Sequence, residues 1–124
     1  MANEITAQAV LTGNKNGQQV SGNSSKQITL AGQQLASGTL VVGASTVQLS
    51  FPSDLTSEGV SYIWLRNNHA SQSIDVGLNT PLTQKLVKLN AGEVALFRPY
   101  QGNPTIYCLA SGASTPLEWV AVGT

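Results

Sequence analysis

The sequence has few charged residues. Asp, Glu, Lys and Arg make up 10% of the 124 residues, and six acidic side chains balance six basic ones, so the net charge is zero. Nucleic-acid binding normally requires a stripe of Lys and Arg that neutralises phosphates. Six dispersed basic residues do not form such a stripe, so the composition argues against a nucleic-acid partner. A net charge near zero also permits close association between subunits.

Cysteine and histidine occur once each. The single Cys108 excludes an internal disulfide and a cysteine-rich metal site, and its apolar neighbours in PTIYCLA predict a buried, inert thiol. One histidine, His69, cannot supply the several ligands of a cupin-type metal site. Asp54 and Glu58 lie close enough in sequence to bind calcium, but no EF-hand loop surrounds them and capping or turn roles fit better. We expect no metal and no cofactor.

Helix signals and long apolar runs are also scarce. No run approaches the ~20 apolar residues of a membrane-spanning helix, and the start of the chain, MANEITAQAVL, lacks the pattern of a secretory signal. We therefore expect no membrane partner and a chain that folds in the cytoplasm where it is made. The best helix candidate is PSDLTSEG, residues 52–59, in which Ser53 would cap a single turn and Gly59 would end it.

The residues that are abundant are polar but uncharged. Ser, Thr, Asn and Gln number 43, Gly adds 12, and 41% of the residues are hydrophobic, which is enough to form a core. Nine or ten short apolar or alternating runs are separated by turn signals at the spacing typical of sandwiches and barrels. The chain has the length of one domain. The prediction is an all-β, single-domain antiparallel β-sandwich over residues 1–124, with a jelly-roll-like topology.

Two of these runs make specific predictions. VSYIWLRN, residues 60–67, is apolar on both faces, so we place it at the centre of a sheet. SIDVGLN, residues 73–79, alternates between apolar and polar positions. In that strand Leu78 should point toward the core and Gly77 toward solvent.

The polar segment GNKNGQQVSGNSSK, residues 13–26, contains the tight-turn pair Asn16-Gly17. One interpretation is that this segment is a surface loop, for example the tip of a long hairpin. The other is a flexible arm that reaches a neighbouring subunit. The sequence leaves both open.

The stretch YIWLRNNHASQSIDVGL, residues 62–78, brings His69 close in sequence to Arg66 and Asp75. Its centre has the composition of a loop, so we expect His69 at the exposed tip of a hairpin. A general base needs an orienting partner and a pocket, and a residue at a loop tip usually has neither. No nucleophile elbow, P-loop or dinucleotide fingerprint occurs elsewhere. We predict no catalytic residues and no enzymatic activity.

The aromatic residues allow two interpretations. Trp64, Trp119, Tyr62, Tyr100 and Tyr107 could form a platform on which sugars stack. Alternatively, Trp64 and Tyr107 fill a core or a subunit interface, and Trp119 closes one edge. Tyr100, in the loop RPYQGNP, is the best candidate for an exposed contact residue.

The second half of the chain, residues 60–124, carries a family resemblance. VSYIWLRNN, SIDVGLN, VKLNAGEVALFRP, TIYCLASG and LEWVAVGT follow one another in this order. This arrangement of segments resembles that of small virion proteins of tailed bacteriophages with a β-sandwich or jelly-roll fold. These include capsid decoration (cement) proteins and some tail and fibre components. Its most characteristic pieces are Arg66-Asn67, the turn 89–93 and the segment 97–99.

The resemblance implies a structural role in the virion. A decoration protein of this kind would be made in the host cytoplasm and would sit on the outer capsid surface as a dimer or trimer. It would bind the major capsid protein and stabilise the contacts between capsid subunits, because a ligand of the assembled lattice opposes its opening. The segment 13–26 would suit an arm for such contacts. The alternative is a receptor- or carbohydrate-binding module associated with a tail or fibre.

Overall fold

The computed structural model describes residues 4–29, 35–100 and 103–123, and within these ranges the chain forms ten strands and one short helix. In chain order these are β1 (Glu4–Lys15), β2 (Gln18–Thr29), β3 (Leu35–Val42), β4 (Val47–Leu49), α1 (Ser53–Glu58), β5 (Val60–Asn67), β6 (Ile74–Gly77), β7 (Lys85–Leu89), β8 (Val94–Phe97), β9 (Ile106–Ala110) and β10 (Thr115–Gly123). In the part of the chain that the structure describes, no helix is long and apolar enough to cross a membrane. The prediction of an all-β sandwich with antiparallel sheets is confirmed.

β1 and β2 form a hairpin that is a two-stranded sheet of its own. The predicted tight turn is confirmed, because Asn16 and Gly17 connect the strands with φ values of 54° and 79°. Residues 13–26 are therefore strand and turn, and not an irregular loop. Among the side chains described in the hairpin, Ile5 and Ala7 are half-buried and the others are exposed.

The chain divides into two compact units, residues 1–33 and residues 34–124. The sequence predicted one sandwich over residues 1–124, but both four-stranded sheets take their strands from the second unit. The two strands of the hairpin are mostly Ser, Thr, Asn, Gln and Gly, so they offer little apolar surface for a core of their own.

The sandwich consists of one sheet with the order β3-β10-β5-β8 and a second with the order β4-β9-β6-β7. The strand pairs are nested: β6 pairs with β7, β5 with β8, β4 with β9 and β3 with β10, all antiparallel. Successive pairs lie in alternate sheets. Residues 35–123 thus follow the path of one long antiparallel ribbon that is folded across two layers.

The core lies between the two sheets and takes side chains from both. β5 is central, with β10 on one side and β8 on the other, as predicted from its apolar faces. Its inward residues Ile63 and Leu65 are fully buried, and each such side chain stabilises the fold by about 1.5–3 kcal/mol. The largest fully buried apolar side chains are Leu49, Leu55, Ile63, Leu65, Ile74, Leu89, Ile106 and Leu117.

The single turn of helix forms where it was predicted, but its capping differs. The N-cap residue is Pro52, whose carbonyl accepts hydrogen bonds of 3.1 Å from the N–H groups of Leu55 and Thr56, and no side chain caps the helix. The prediction that Ser53 is the cap was wrong, because Ser53 is already helical. Gly59 ends the helix at φ 100°, a conformation that side chains with a Cβ rarely adopt.

The alternation predicted for β6 fails at its end. Val76 is fully buried, but the pairing of β6 with β7 shifts register between Val76 and Gly77. Because Val76 pairs with Val87 and Gly77 with Lys85, the extra residue of this bulge is Leu86, on β7. Gly77 is buried because Leu82 and the Gln84 carbonyl cover it, and Leu78 is 45% exposed, so both of those predictions were wrong.

Candidate functional site

The connections β5–β6, β7–β8 and β9–β10 meet at one end of the sandwich, which we call the polar end (residues 67–73, 89–93 and 111–115). Asn67, at the end of β5, is fully buried there. Its Nδ2 donates to the carbonyl of Gln72 at 2.7 Å and to that of Leu89 at 3.0 Å, and its Oδ1 accepts from the N–H of His69 at 3.0 Å. One side chain therefore joins the β5–β6 connection to the end of β7.

His69 lies in the β5–β6 connection and is half-buried. Its Nδ1 accepts hydrogen bonds from the N–H groups of Ser71, at 3.0 Å, and Gln72, at 2.9 Å. The predicted position at the tip of a hairpin was wrong, because β5 and β6 belong to different sheets and the connection crosses between them. The histidine shapes this crossing by accepting two backbone hydrogen bonds.

The β9–β10 connection is tied to the same crossing. The N–H of Ser73 donates to Oγ of Ser111 at 3.0 Å, and the N–H of Ser111 donates to the carbonyl of Ser73 at 2.9 Å. The hydroxyl of the buried Thr115 donates to Oε1 of Gln72. Hydrogen bonds between neighbouring connections hold these loops in one arrangement.

Two of the pieces that carry the family resemblance are in direct contact at the polar end. The N–H of Asn67 donates to the carbonyl of Glu93 at 3.0 Å, and the carbonyl of Asn67 accepts from the N–H of Gly92 at 2.9 Å. The turn is closed by the carboxylate of Glu93, which accepts from the N–H of Asn90 at 2.7 Å. These short motifs therefore form one structural unit.

The charged residues that the sequence placed near His69 have different surroundings. Asp75 forms a salt bridge of 3.1 Å with Lys85 on the neighbouring strand. Arg66 is exposed on β5, in the other sheet. Asp54 lies in the first turn of α1, and the side chain of Glu58 falls outside the described residues. Among the side chains that the structure describes, no three His, Cys, Asp or Glu residues come together as a metal site.

Cys108 lies on β9 and is fully buried in the core, as predicted. Burial disfavours the thiolate and raises the pKa of the Cys108 thiol from 9.0 to about 12. Because nucleophilic attack requires the thiolate, the folded protein should not react with thiol reagents at pH 8 until it unfolds. The Ellman reaction measured with and without denaturant checks this.

The raised pKa of Cys108 also makes the free energy of unfolding fall at alkaline pH. The folded state holds its thiol proton up to about pH 12, whereas the unfolded thiol ionises near pH 9, so the contribution to stability is full below pH 9 and is lost as the pH rises. Between pH 8 and pH 10.5 the wild type should lose about 2 kcal/mol more than the Cys108→Ala variant. Equal losses in urea unfolding would contradict this.

The aromatic residues are distributed between core and surface. Trp119 is 9% exposed, and Phe51 meets it edge to face with ring centroids 5.5 Å apart. Trp64 and Tyr107 are half-buried, at strand positions that alternate with core residues. Tyr100 is fully exposed, so its predicted exposure is confirmed. The five residues do not form a single platform.

An apolar cleft of about 480 Å³ opens beside Tyr100. Leu78, Leu86, Phe97, Arg98, Pro99, Tyr100, Pro104, Thr105 and Ile106 line it. Among the described lining residues, Arg98 carries a charge, and its guanidinium also lies 5.9 Å from the ring centroid of Tyr62. A cleft of this kind can bind a ligand with an apolar face and hydrogen-bond acceptors.

Sequence reasoning found Tyr100 but missed the cleft. Leu78 and Leu86 reach it because Leu78, which follows the register shift, is 45% exposed, and Leu86, the extra residue of the bulge in β7, is 57% exposed. Neither orientation follows from local alternation. Comparison of the chain with family models, with curated proteins and with solved structures gives no match.

Proposed function

We propose that the protein is a structural component of a tailed-bacteriophage virion, and specifically a decoration protein. It binds the major capsid protein on the outer capsid surface and stabilises contacts between capsid subunits. The family resemblance of residues 60–124 suggested this role. The strand order and the hairpin support it.

The nested strand pairs support a jelly-roll topology. In a jelly roll, eight strands form two antiparallel sheets with Greek-key connections. β3 to β10 have this number of strands, two sheets, and successive pairs in alternate sheets. Viral capsid and lectin domains are among the proteins that use this topology.

The hairpin is the observation that carries the proposal. Its strands have 12 residues each, which corresponds to a length of about 40 Å. A two-stranded hairpin by itself is marginally stable in water, and both of its outer edges offer backbone groups for pairing. Such an arm gains stability when it pairs with a neighbouring protein in an assembly.

The decisive measurement is the copy number of this chain in purified particles from its source, by quantitative gel against the major capsid protein. We expect hundreds of copies in a fixed ratio to the capsid subunit. A handful of copies per particle would contradict decoration and place the chain at a tail or vertex. Complete absence from particles would overturn the virion role.

The apolar cleft favours a second candidate, a carbohydrate-binding module on a tail or fibre. The exposed Tyr100 ring offers a flat apolar surface for the C–H face of a sugar, and Arg98 offers N–H donors for hydroxyl oxygens. Glycan-array binding by the wild type that is lost in Tyr100→Ala would support this candidate. Leu11→Ala is the matched control, since Leu11 is 70% exposed on the hairpin.

A further inference from the structure

β3 is the outer strand of its sheet, and within the part of the chain that the structure describes its hydrogen-bonded neighbour is β10. The backbone groups along its other edge are therefore available to a strand from another molecule. Two large apolar side chains on this strand point away from the core. Leu35 is 65% exposed and Val41 is 63% exposed.

Proteins usually protect an outer strand with charged residues, proline or a bulge. The sequence has no charged residue from position 27 to position 53, a stretch that includes all of β3. β3 also keeps a continuous register with β10 over its whole length. At the other side of the sandwich, β7 carries Lys85 and Lys88, and β8 lies between Glu93 and Arg98. Among the outer strands β3, β7 and β8, β3 is the longest, and it has no charged side chain.

We infer that β3 pairs antiparallel with β3 of a second copy of this chain, across a twofold axis at Gly38. In this register Leu35 lies opposite Val41 of the second copy, and symmetry produces this apolar contact twice. Ser37 lies opposite Thr39 on the same exposed face. A shift of one residue would set exposed side chains against core-facing ones, so the burial pattern specifies the register.

The core-facing side of β3 fits the same arrangement. Ala36 of one copy lies opposite Leu40 of the other, and both residues already pack against the core of their own sandwich. Gly38 at the axis has no side chain, and a Cβ there would be 3.2 Å from the ring of Trp119. The two sheets thus continue into one eight-stranded sheet across the dimer.

The contact covers seven residues per copy, which corresponds to about 6–8 backbone hydrogen bonds. One strand from each subunit makes an interface at the lower end of specific interface sizes. We therefore expect a dimer that dissociates in the micromolar range, at roughly 1–100 µM. Sedimentation velocity of the purified full chain over this range of concentrations measures it.

Charge substitutions test the register. Val41→Lys should make the protein monomeric, because a lysine would face Leu35 of the second copy at both ends of the contact. Leu35→Glu should do the same. The double variant Leu35→Glu, Val41→Lys should restore the dimer, since each glutamate then faces a lysine of the other copy. Within one chain these positions lie about 20 Å apart along the strand, so they cannot pair with each other.

Val94→Lys is the matched control, because Val94 is 56% exposed on the other outer strand of the same sheet. It should leave dimerisation unchanged. Circular dichroism verifies that each variant is folded. A wild type that stays monomeric at about 200 µM, association that persists in Val41→Lys, or a double variant without restored association would overturn the inference. The test uses purified protein alone, so its result is separate from that of the copy-number measurement on particles.

Discussion

Asn67→Asp should destabilise the protein by about 3–5 kcal/mol, which is a large part of the stability of a typical domain. The two side chains have nearly the same shape, so the effect comes from hydrogen bonding and charge. Nδ2 of Asn67 donates to the carbonyls of Gln72 and Leu89. A carboxylate oxygen in that place would face two carbonyl oxygens, and it would be buried without a counter-charge.

Asn79→Asp provides the matched control, because the same chemical change there preserves the hydrogen bonds that Oδ1 of Asn79 accepts. Oδ1 of Asn79 accepts from the N–H groups of Thr83, at 3.0 Å, and Gln84, at 2.9 Å, and both hydrogen bonds are exposed. A carboxylate accepts these bonds equally well, and the Thr83 hydroxyl can turn to donate to it. We expect a change within about 0.5 kcal/mol.

Urea unfolding of the two variants at pH 7 compares them directly. A loss of less than about 1 kcal/mol for Asn67→Asp would mean that the polar end does not depend on the Asn67 amide. Similar losses in both variants would mean that the effect is general to Asn→Asp changes. Either result would contradict the inference that the hydrogen bonds of Asn67 hold the connections of the polar end together.

Two predictions that depend on local pattern succeeded in this chain, although the local prediction of Ser53 as the helix cap failed. The apolar faces of residues 60–67 identified β5 and its central place in the sheet, and Asn16-Gly17 identified the hairpin turn. Both features depend on residues that are adjacent in sequence. The two β-turn angles at Asn16 and Gly17, for example, require residues that tolerate positive φ.

Predictions that depend on pairing between distant strands failed or were not possible. His69 was expected at a hairpin tip because the strands on both sides of it are close in sequence, but β5 pairs with β8 and β10 instead of β6. The orientation of Leu78 depends on a bulge against β7. The cleft is lined by residues from the β6–β7 connection, from β7, β8 and β9, and from the β8–β9 connection, so no local pattern signals it.

Gly77→Ala should destabilise the protein by about 3 kcal/mol, the upper end of overpacking effects, because the chain leaves no room for a side chain there. A Cβ on Gly77 would lie 2.3 Å from the carbonyl oxygen of Gln84 and 2.6 Å from Cδ1 of Leu82. The Gln84 carbonyl cannot move away freely, since it accepts a hydrogen bond of 3.0 Å from the N–H of Leu78. A shift would have to displace the whole β6–β7 connection.

Gly43→Ala is the control for this substitution, because a Cβ on Gly43 would meet no atom within 4 Å. Gly43 belongs to the same unit of the chain, and its substitution should change the free energy of unfolding by no more than about 0.5 kcal/mol. Urea unfolding of both variants measures the difference. Equal stability of Gly77→Ala and Gly43→Ala would show that the β6–β7 connection yields to a methyl group. The bulge would then be a soft feature, and the exposure of Leu78 in the cleft would not depend on a fixed backbone.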